Sequence, residues 1–435
     1  MVSDPLSLAI AAEAKPKGTA LIEAGDPMSY RELWDAVQRR AADLAGDGPL
    51  VLSPRPTTDD IVTLLAAVAI ERPLVLIHPR ASDTERARRL ALLDRAPIPK
   101  GTLALLFTSG TGGEAKAAVL SRDAVAAALR ANAERHGWND DDRWALWLPP
   151  AHIGGLSIPL RCVQGRAAVV LRDGPFDPAE AIAAVERDRI TLLSLVPTML
   201  RRLLDAEWKP PPHLRLVLVG GAALDEGLQK RASAAGVPTR TTYGMTETCA
   251  QLATATGPEE PGVGRPMPTM EVAIRAGEIV ARGPALFAGY LGEPAPLDDG
   301  GWFATGDAGR LDEEGRLHVL GRLDDRILTG GENVDPLEVE RALEAHPAIA
   351  EAAVFGAPDP EWGQRVSALL VPTAGPGELP AAIASVNEAL AGHRRIRAAF
   401  AVDALPRTGG GKKRRRECDA IAATLTPLPK RGGVA

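Results

Sequence analysis

Short runs of consecutive apolar residues recur along the first half of the chain: LVLIH at 74–78, LALLF at 103–107, AAVVL at 167–171, LLSLV at 192–196 and LRLVLVG at 214–220. Between them lie alanine-rich segments whose apolar positions repeat at helical spacing, as at 124–135 and 178–188. Runs too short for helices and apolar at nearly every position fit strands covered on both faces. Their alternation with helices predicts an α/β fold with largely parallel sheets. From about Glu271 the pattern shortens to brief strands and Gly-rich turns, GEIVARGPALFAGYL and GRLDEEGRLHVLGRLDD, which predicts a small β region closing a large domain. A fresh unit follows: Asp335 is placed as N-cap and Pro336 as first helical residue of PLEVERALEAHP, ahead of strands AEAAVFG and RVSALLVP. The boundary is expected near 322–325, giving a large N-terminal domain, 1–322, and a smaller α+β C-terminal domain, 323–435.

Composition narrows the function classes. At 435 residues and 45% hydrophobic content the chain exceeds one ordinary domain and can bury a sizeable core. A formal net charge of −6 and a pI near 5.8 leave no overall electrostatic footprint for nucleic acid or an anionic membrane. No stretch approaches the ~20 apolar residues of a membrane span, and the N-terminus lacks a charged start followed by a sustained apolar segment, so the protein is expected to be cytoplasmic. Cys162, Cys249 and Cys418 are widely spaced and form no CxxC pair, which argues for inert thiols over disulfides or structural zinc.

One local feature opposes the acidic background. LPRTGGGKKRRREC, at 405–418, places five consecutive basic residues after three glycines. It reads either as a solvated basic face for nucleic acid or as a flexible arm that delivers one lysine to a reaction.

The strongest chemical signal is LLFTSGTGGEAKAAVLS, at 105–121. A strand ends in hydroxyls and glycines, Thr108, Ser109, Gly110, Thr111, Gly112 and Gly113, with Lys116 just beyond. Glycines let backbone N–H groups turn toward an anion, hydroxyls add donors and the lysine adds a point charge, which suits polyphosphate. The P-loop pattern GxxxxGK[ST] fails, because Ala115 stands at its second glycine and Ala117 follows the lysine. A strand follows the loop, and the helix waits for a cap at Ser121. The plainer alternative is a Gly/Thr surface hairpin.

TSGTGGEAK resembles the signature loop of the adenylate-forming superfamily of acyl-CoA synthetases, luciferases and peptide-synthetase adenylation domains, departing from it at Gly112 and Ala115. Further segments are similar in the same order: GDPMSYRELWDAV near the N-terminus, YGMTETCAQ at 243–251, GWFATGDAGRLDEEGRLHVLGR at 301–322, DDRILTGGENVDPLEVE at 324–340 and LPRTGGGKKRRRE. The resemblance implies ATP-dependent activation of a carboxylic acid, with release of pyrophosphate, an acyl-adenylate intermediate and then a thioester with coenzyme A. It implies that Thr108, Ser109, Gly110, Thr111, Gly112 and Lys116 hold the terminal phosphates, that Gly220 lines the nucleotide site and that Tyr243 stacks on adenine. Thr246 would bond the α-phosphate, Glu247 would help hold Mg²⁺, and Asp307 with Arg322 would grip the ribose. Lys412 would swing in to neutralise charge where carboxylate and α-phosphate meet. The mobile small domain would then rotate about Asp324 and bring Gly330 and Gly331 beside the pantetheine arm. Residues 413–416 are expected to stay solvated.

For the acid, LPPAHIGGLSIPLRC at 148–162 and the compact length resemble the o-succinylbenzoate–CoA ligases of menaquinone synthesis, with Gly154 as a departure. By that resemblance His152 sits at the mouth of the acyl pocket and Gly244 beside the substrate. Arg161 would partner the second, unactivated carboxylate, since a buried unpaired charge is costly. The alternative for Arg161 is an exposed helix position. A ligase for another aryl or medium-chain acid and a nucleotide-binding relative without turnover also stay open. Expected partners are small molecules only, with no nucleic acid and no membrane insertion; self-association is left open.

Overall fold

A computed structural model describes residues 4–44, 46, 48–109, 115–407 and 413–429. Among the described residues the strands gather into four sheets. The largest has nine strands. Its centre runs in the spatial order Thr239–Tyr243, Leu216–Val219, Leu192–Leu195, Arg143–Leu146, Ala168–Leu171 and Thr19–Glu23, and every neighbouring pair within that stretch is parallel. The strands at 143–219 are buried almost throughout, as their continuous apolar runs require when helices cover both faces. A second sheet of six strands pairs Leu50–Leu52, Leu74–Leu76 and Thr102–Ser109 in parallel, then turns antiparallel through Ala115–Ser121 and Gly289–Tyr290. The main hydrophobic core contains residues of both sheets, including Leu21, Leu76, Leu106, Trp144 and Leu171.

An antiparallel sheet of Glu271–Arg275, Glu278–Arg282, Phe303–Leu311 and Leu317–Arg322 forms the expected β region. After a 3₁₀ turn at Leu323–Asp325, the strands Ile349–Asp359 and Gly363–Pro372 form a long hairpin in the last sheet. That sheet is packed by Pro336–Glu344 over a separate apolar cluster that includes Val339, Leu343, Val354 and Leu370. Helix starts follow local chemistry. Ser29 and Glu32 form a capping box, Ser121 caps Arg122–His136, and Asp335 accepts from the Leu337 N–H ahead of Pro336. The helix Ile153–Gly165 carries Pro159 in its interior, and Gly155 stands four residues before it. The ring of an internal proline presses on that preceding turn. Gly155 is there for a tighter reason: a Cβ would lie 2.2 Å from the Pro149 carbonyl oxygen.

Candidate active site

Ligands of open α/β sheets sit beyond the carboxyl ends of the strands, and the YGMTETCAQ segment leaves the nine-stranded sheet at such an end. After Tyr243 the chain turns through the 3₁₀ segment Thr246–Thr248. It then holds Cys249 and Ala250 at φ of 48° and 92°, and returns so that the Leu252 N–H donates to Tyr243 O at 2.7 Å. Two consecutive non-glycine residues at positive φ are strained backbone, of the kind retained at functional turns. Gly244 makes the loop sterically feasible, because a Cβ there would lie 2.1 Å from Ala250 O. Gly220, at the end of the adjacent strand, is similarly confined: its Cβ would stand 2.7 Å from Thr242 Cγ2.

Glu247 is 8% exposed in this turn. Its Oε1 accepts from the Tyr290 hydroxyl at 2.9 Å, and Lys116 Nζ lies 4.7 Å from the centre of the Tyr290 ring. Lys116 also approaches Glu293 at 3.8 Å. Burial and the Glu247 carboxylate push the Tyr290 phenol well up, so it stays a donor. In the antiparallel pair, Thr108 lies opposite Lys116 and Ser109 opposite Ala115. Gly110, Thr111 and Gly112 lie outside the described residues.

A second constellation joins strands of two sheets. The Tyr243 hydroxyl donates to Asp307 Oδ2 at 2.6 Å, and Arg322 Nη1 donates to Asp307 Oδ1 at 3.2 Å and to Thr305 O at 3.0 Å. Asp307 and Arg322 are cross-strand partners in register, which delivers both to one spot. Gly306, at φ 74°, leaves room for the guanidinium; a Cβ would lie 2.6 Å from Arg322 Nη2. Burial and the Asp307 charge hold the Tyr243 phenol protonated. Asp324, in the following turn, stands 4.0 Å from Arg322.

His152 starts the helix Ile153–Gly165, and its ring centroid lies 5.3 Å from that of His78. Burial and the nearby Arg80 and Arg89 lower the pKa of His78. Arg161, on the same helix, is 5% exposed, which rules out the surface alternative. Its Nη2 donates to Gln251 Oε1 at 3.0 Å, its guanidinium lies 5.2 Å from the centre of the Trp144 ring, and its Nε finds no hydrogen-bond partner among the described residues. Desolvation pushes it down to about 9. Gln251 also accepts from Asn132 and donates to Thr242 and Thr254, so Arg161 meets the far end of the segment that carries Glu247.

Lys412 lies outside the described residues. The residues after it differ from expectation: Lys413 is only 17% exposed at its side chain and Arg415 14%, and both are paired with acidic residues distant in sequence. The solvated flank expected from the charge run is therefore corrected for these two; Arg414 and Arg416 are exposed. Sequence reasoning also missed Tyr290, although its GYL context lies in a segment otherwise read as β structure.

The donor set suits a Mg²⁺–nucleotide. Among the described residues no cluster of three His, Cys, Asp or Glu side chains could cage a metal. A single buried carboxylate at Glu247 fits a hard cation that takes its remaining oxygens from phosphates and water. Comparison with known proteins agrees. The chain belongs to the AMP-binding enzyme family, which matches residues 79–291, and the family's C-terminal domain matches residues 338–412. It is 31% identical to the 2-succinylbenzoate–CoA ligase of Bacillus velezensis over 94% of this chain and 96% of that protein. With the corresponding ligase of Geobacillus kaustophilus it shares 37% identity over 72% of this chain and 68% of that one. Among solved structures, o-succinylbenzoate CoA synthetase from Bacillus subtilis in complex with its acyl-adenylate intermediate superposes with a TM-score of 0.86 at 28% identity, covering 96% of this chain and 98% of that one. The same synthetase with ATP and magnesium ion gives 0.84 at 28% identity, covering 94% and 98%.

Proposed function

We propose that the acid activated by this AMP-forming acid–CoA ligase is 2-succinylbenzoate, in the synthesis of menaquinone. ATP and Mg²⁺ serve the first half-reaction and coenzyme A the second. The likeness to 2-succinylbenzoate–CoA ligases along nearly the full chain supports the reaction class. The observation that carries the choice of acid is Arg161, a guanidinium withdrawn from water that forms no ion pair among the described residues. A buried cation without an anion is costly, and the second carboxylate of a dicarboxylic acid would supply one.

In this reading the segment from Thr108 to Gly112, with Lys116, holds the β- and γ-phosphates. Tyr243 stacks on adenine beside Gly220, and Asp307, braced by Arg322, accepts from the ribose hydroxyls. Thr246 bonds the α-phosphate, and Glu247 holds Mg²⁺, which when bound neutralises phosphate charge. His152 and Gly244 border the reacting carboxylate. Lys412 stabilises the charge that develops as carboxylate oxygen joins phosphorus and pyrophosphate leaves. The thiol of CoA then attacks the acyl carbon and AMP departs. The change between half-reactions is a rotation of domain 323–435 against domain 1–322 about Asp324. No helix among the described residues is long and apolar enough to cross a membrane, and a cytoplasmic location belongs to the same proposal.

The experiment is pyrophosphate release from ATP with a panel of acids, followed by thioester formation on adding CoA. Turnover of 2-succinylbenzoate well above benzoate and medium-chain fatty acids is expected. Activation of those acids while 2-succinylbenzoate is ignored would refute the choice of acid and leave the ligase chemistry standing.

A further inference from the structure

Glu340, on the helix Pro336–Glu344, is 1% exposed. A carboxylate so far from water must have its lone pairs met by donors. Its Oε1 accepts from the Val354 N–H at 2.9 Å, Arg415 Nε at 3.1 Å and Arg415 Nη2 at 2.8 Å. Its Oε2 accepts from Arg415 Nη2 at 2.8 Å and Lys413 Nζ at 3.0 Å. Lys413 Nζ spends its other donors on Glu344 Oε1 at 2.9 Å and Ala352 O at 2.6 Å. Arg415 continues to Asp325 Oδ2 at 2.9 Å, in the turn that contains Asp324.

The described residues on either side of 408–412 are therefore tied to one frame. On the entering side Arg407 Nη2 donates to Glu351 Oε2 at 2.8 Å; across the gap Arg407 and Lys413 form an antiparallel bridge, and the Arg414 N–H donates to Pro406 O at 2.8 Å. Glu351, Ala352 and Val354 all belong to the strand Ile349–Asp359, so one strand holds both ends. A basic run whose alternate members are half-buried against a single buried carboxylate is built to a purpose beyond solubility. Hydrophobic residues of similar volume would pack this helix against its sheet as well or better.

Resting on the role given above to Lys412, we propose that Glu340 is a positioning residue for the adenylation half-reaction. By gripping Lys413 and Arg415 it fixes the point from which Lys412 departs, and through Arg415 and Asp325 it ties that point to the turn about which the domain rotates. A lysine next to three glycines has a large conformational space to lose before it meets the reacting oxygens, and an anchored neighbour reduces that loss.

The test measures the two half-reactions separately in Glu340→Gln. Lys413→Gln and Arg415→Gln are made alongside, each leaving Glu340 the Val354 N–H and the other cation as donors, and the melting temperature of every variant is measured to separate unfolding from misplacement. Arg414→Gln, whose exposed side chain pairs with Glu417, is the control. Pyrophosphate release should fall by about 10- to 100-fold, the scale of a misplaced catalytic group, with the KM for ATP unchanged. Consumption of supplied acyl-adenylate by CoA should stay at the wild-type rate. In the background of Lys412→Ala, Glu340→Gln should cost nothing further, because residues acting as a unit are not additive. Equal losses in both half-reactions, or additive losses in the double variant, overturn the inference. If Lys412→Ala alone leaves pyrophosphate release intact, the role of Lys412 fails and takes this inference with it. A full loss in Lys412→Ala with Glu340→Gln and Arg415→Gln unaffected overturns the inference alone.

Discussion

The Tyr290 hydroxyl donates to Glu247 Oε1 at 2.9 Å across 43 residues of sequence, and the face of the same ring carries Lys116. One aromatic side chain thus joins the proposed metal carboxylate to the strand that follows the proposed phosphate loop. Phe287 holds it edge-on at 4.9 Å, and the Phe287 N–H donates to the Glu247 carbonyl.

Tyr290→Phe keeps the ring and removes the hydrogen bond. Hydrogen bonds to charged groups contribute about 1.5–3 kcal/mol, so at limiting Mg²⁺ the rate of pyrophosphate release should fall about 10-fold or more. The Mg²⁺ concentration for half-maximal rate should rise. An unchanged Mg²⁺ dependence would detach Glu247 from the metal.

Gly306→Ala places a methyl group against the Arg322 guanidinium and forces an alanine to a φ of 74°. The backbone strain alone costs about 1–2 kcal/mol, a factor of about 5–30. Part of it should appear as a raised KM for ATP, because Arg322 is displaced from Asp307. A lowered melting temperature with normal KM would make this glycine a folding requirement only.

Burial, then the charges of Arg161, Arg240, Arg135 and Arg215, depress His136 from 6.5 to about 2. Arg240 Nη1 donates to its Nδ1 at 3.0 Å, which requires that nitrogen unprotonated. The unfolded chain takes up a proton near 6.5 that the native state refuses, so the stability linked to His136 is full above 6.5 and is lost as pH falls from there toward 2. Urea unfolding should show a decline of up to about 1.4 kcal/mol per pH unit from this group. His136→Asn should flatten the slope between pH 6 and 5 by close to one proton; an identical slope would locate the acid sensitivity elsewhere.

Arg161→Ala should reduce 2-succinylbenzoate turnover by about 10- to 10³-fold, as expected for losing a charge-assisted partner in a partly dry pocket. A monocarboxylate of similar shape should lose far less. Comparing the two acids cancels any general weakening from the lost contacts with Gln251 and Trp144. Equal losses would make Arg161 a brace for the 244–251 loop.

Much of this molecule is legible without coordinates. The runs at 74–78, 103–107, 167–171, 192–196 and 214–220 are strands because burial on both faces demands unbroken apolar side chains, and Ser121, Asp335 and Pro336 mark helix starts because capping acts within a turn. The glycine- and hydroxyl-rich motifs can be picked out as candidate anion loops for the same reason, since the donors such a loop offers come from adjacent residues. Sequence by itself left undecided which distant groups meet. Tyr243 and Asp307 lie 64 residues apart, Arg161 and Gln251 90 apart, and Lys413 and Glu340 73 apart. The five-cation run shows the difference most plainly: as a string it predicts a solvated flank, whereas in the fold Glu340 and Glu344 draw Lys413 inward and leave Arg414 outside. Local patterns fix periodicity and caps because those depend on neighbours a few residues away. The pairing of buried charges depends on the packing of sheets and helices, which only the closed tertiary structure determines.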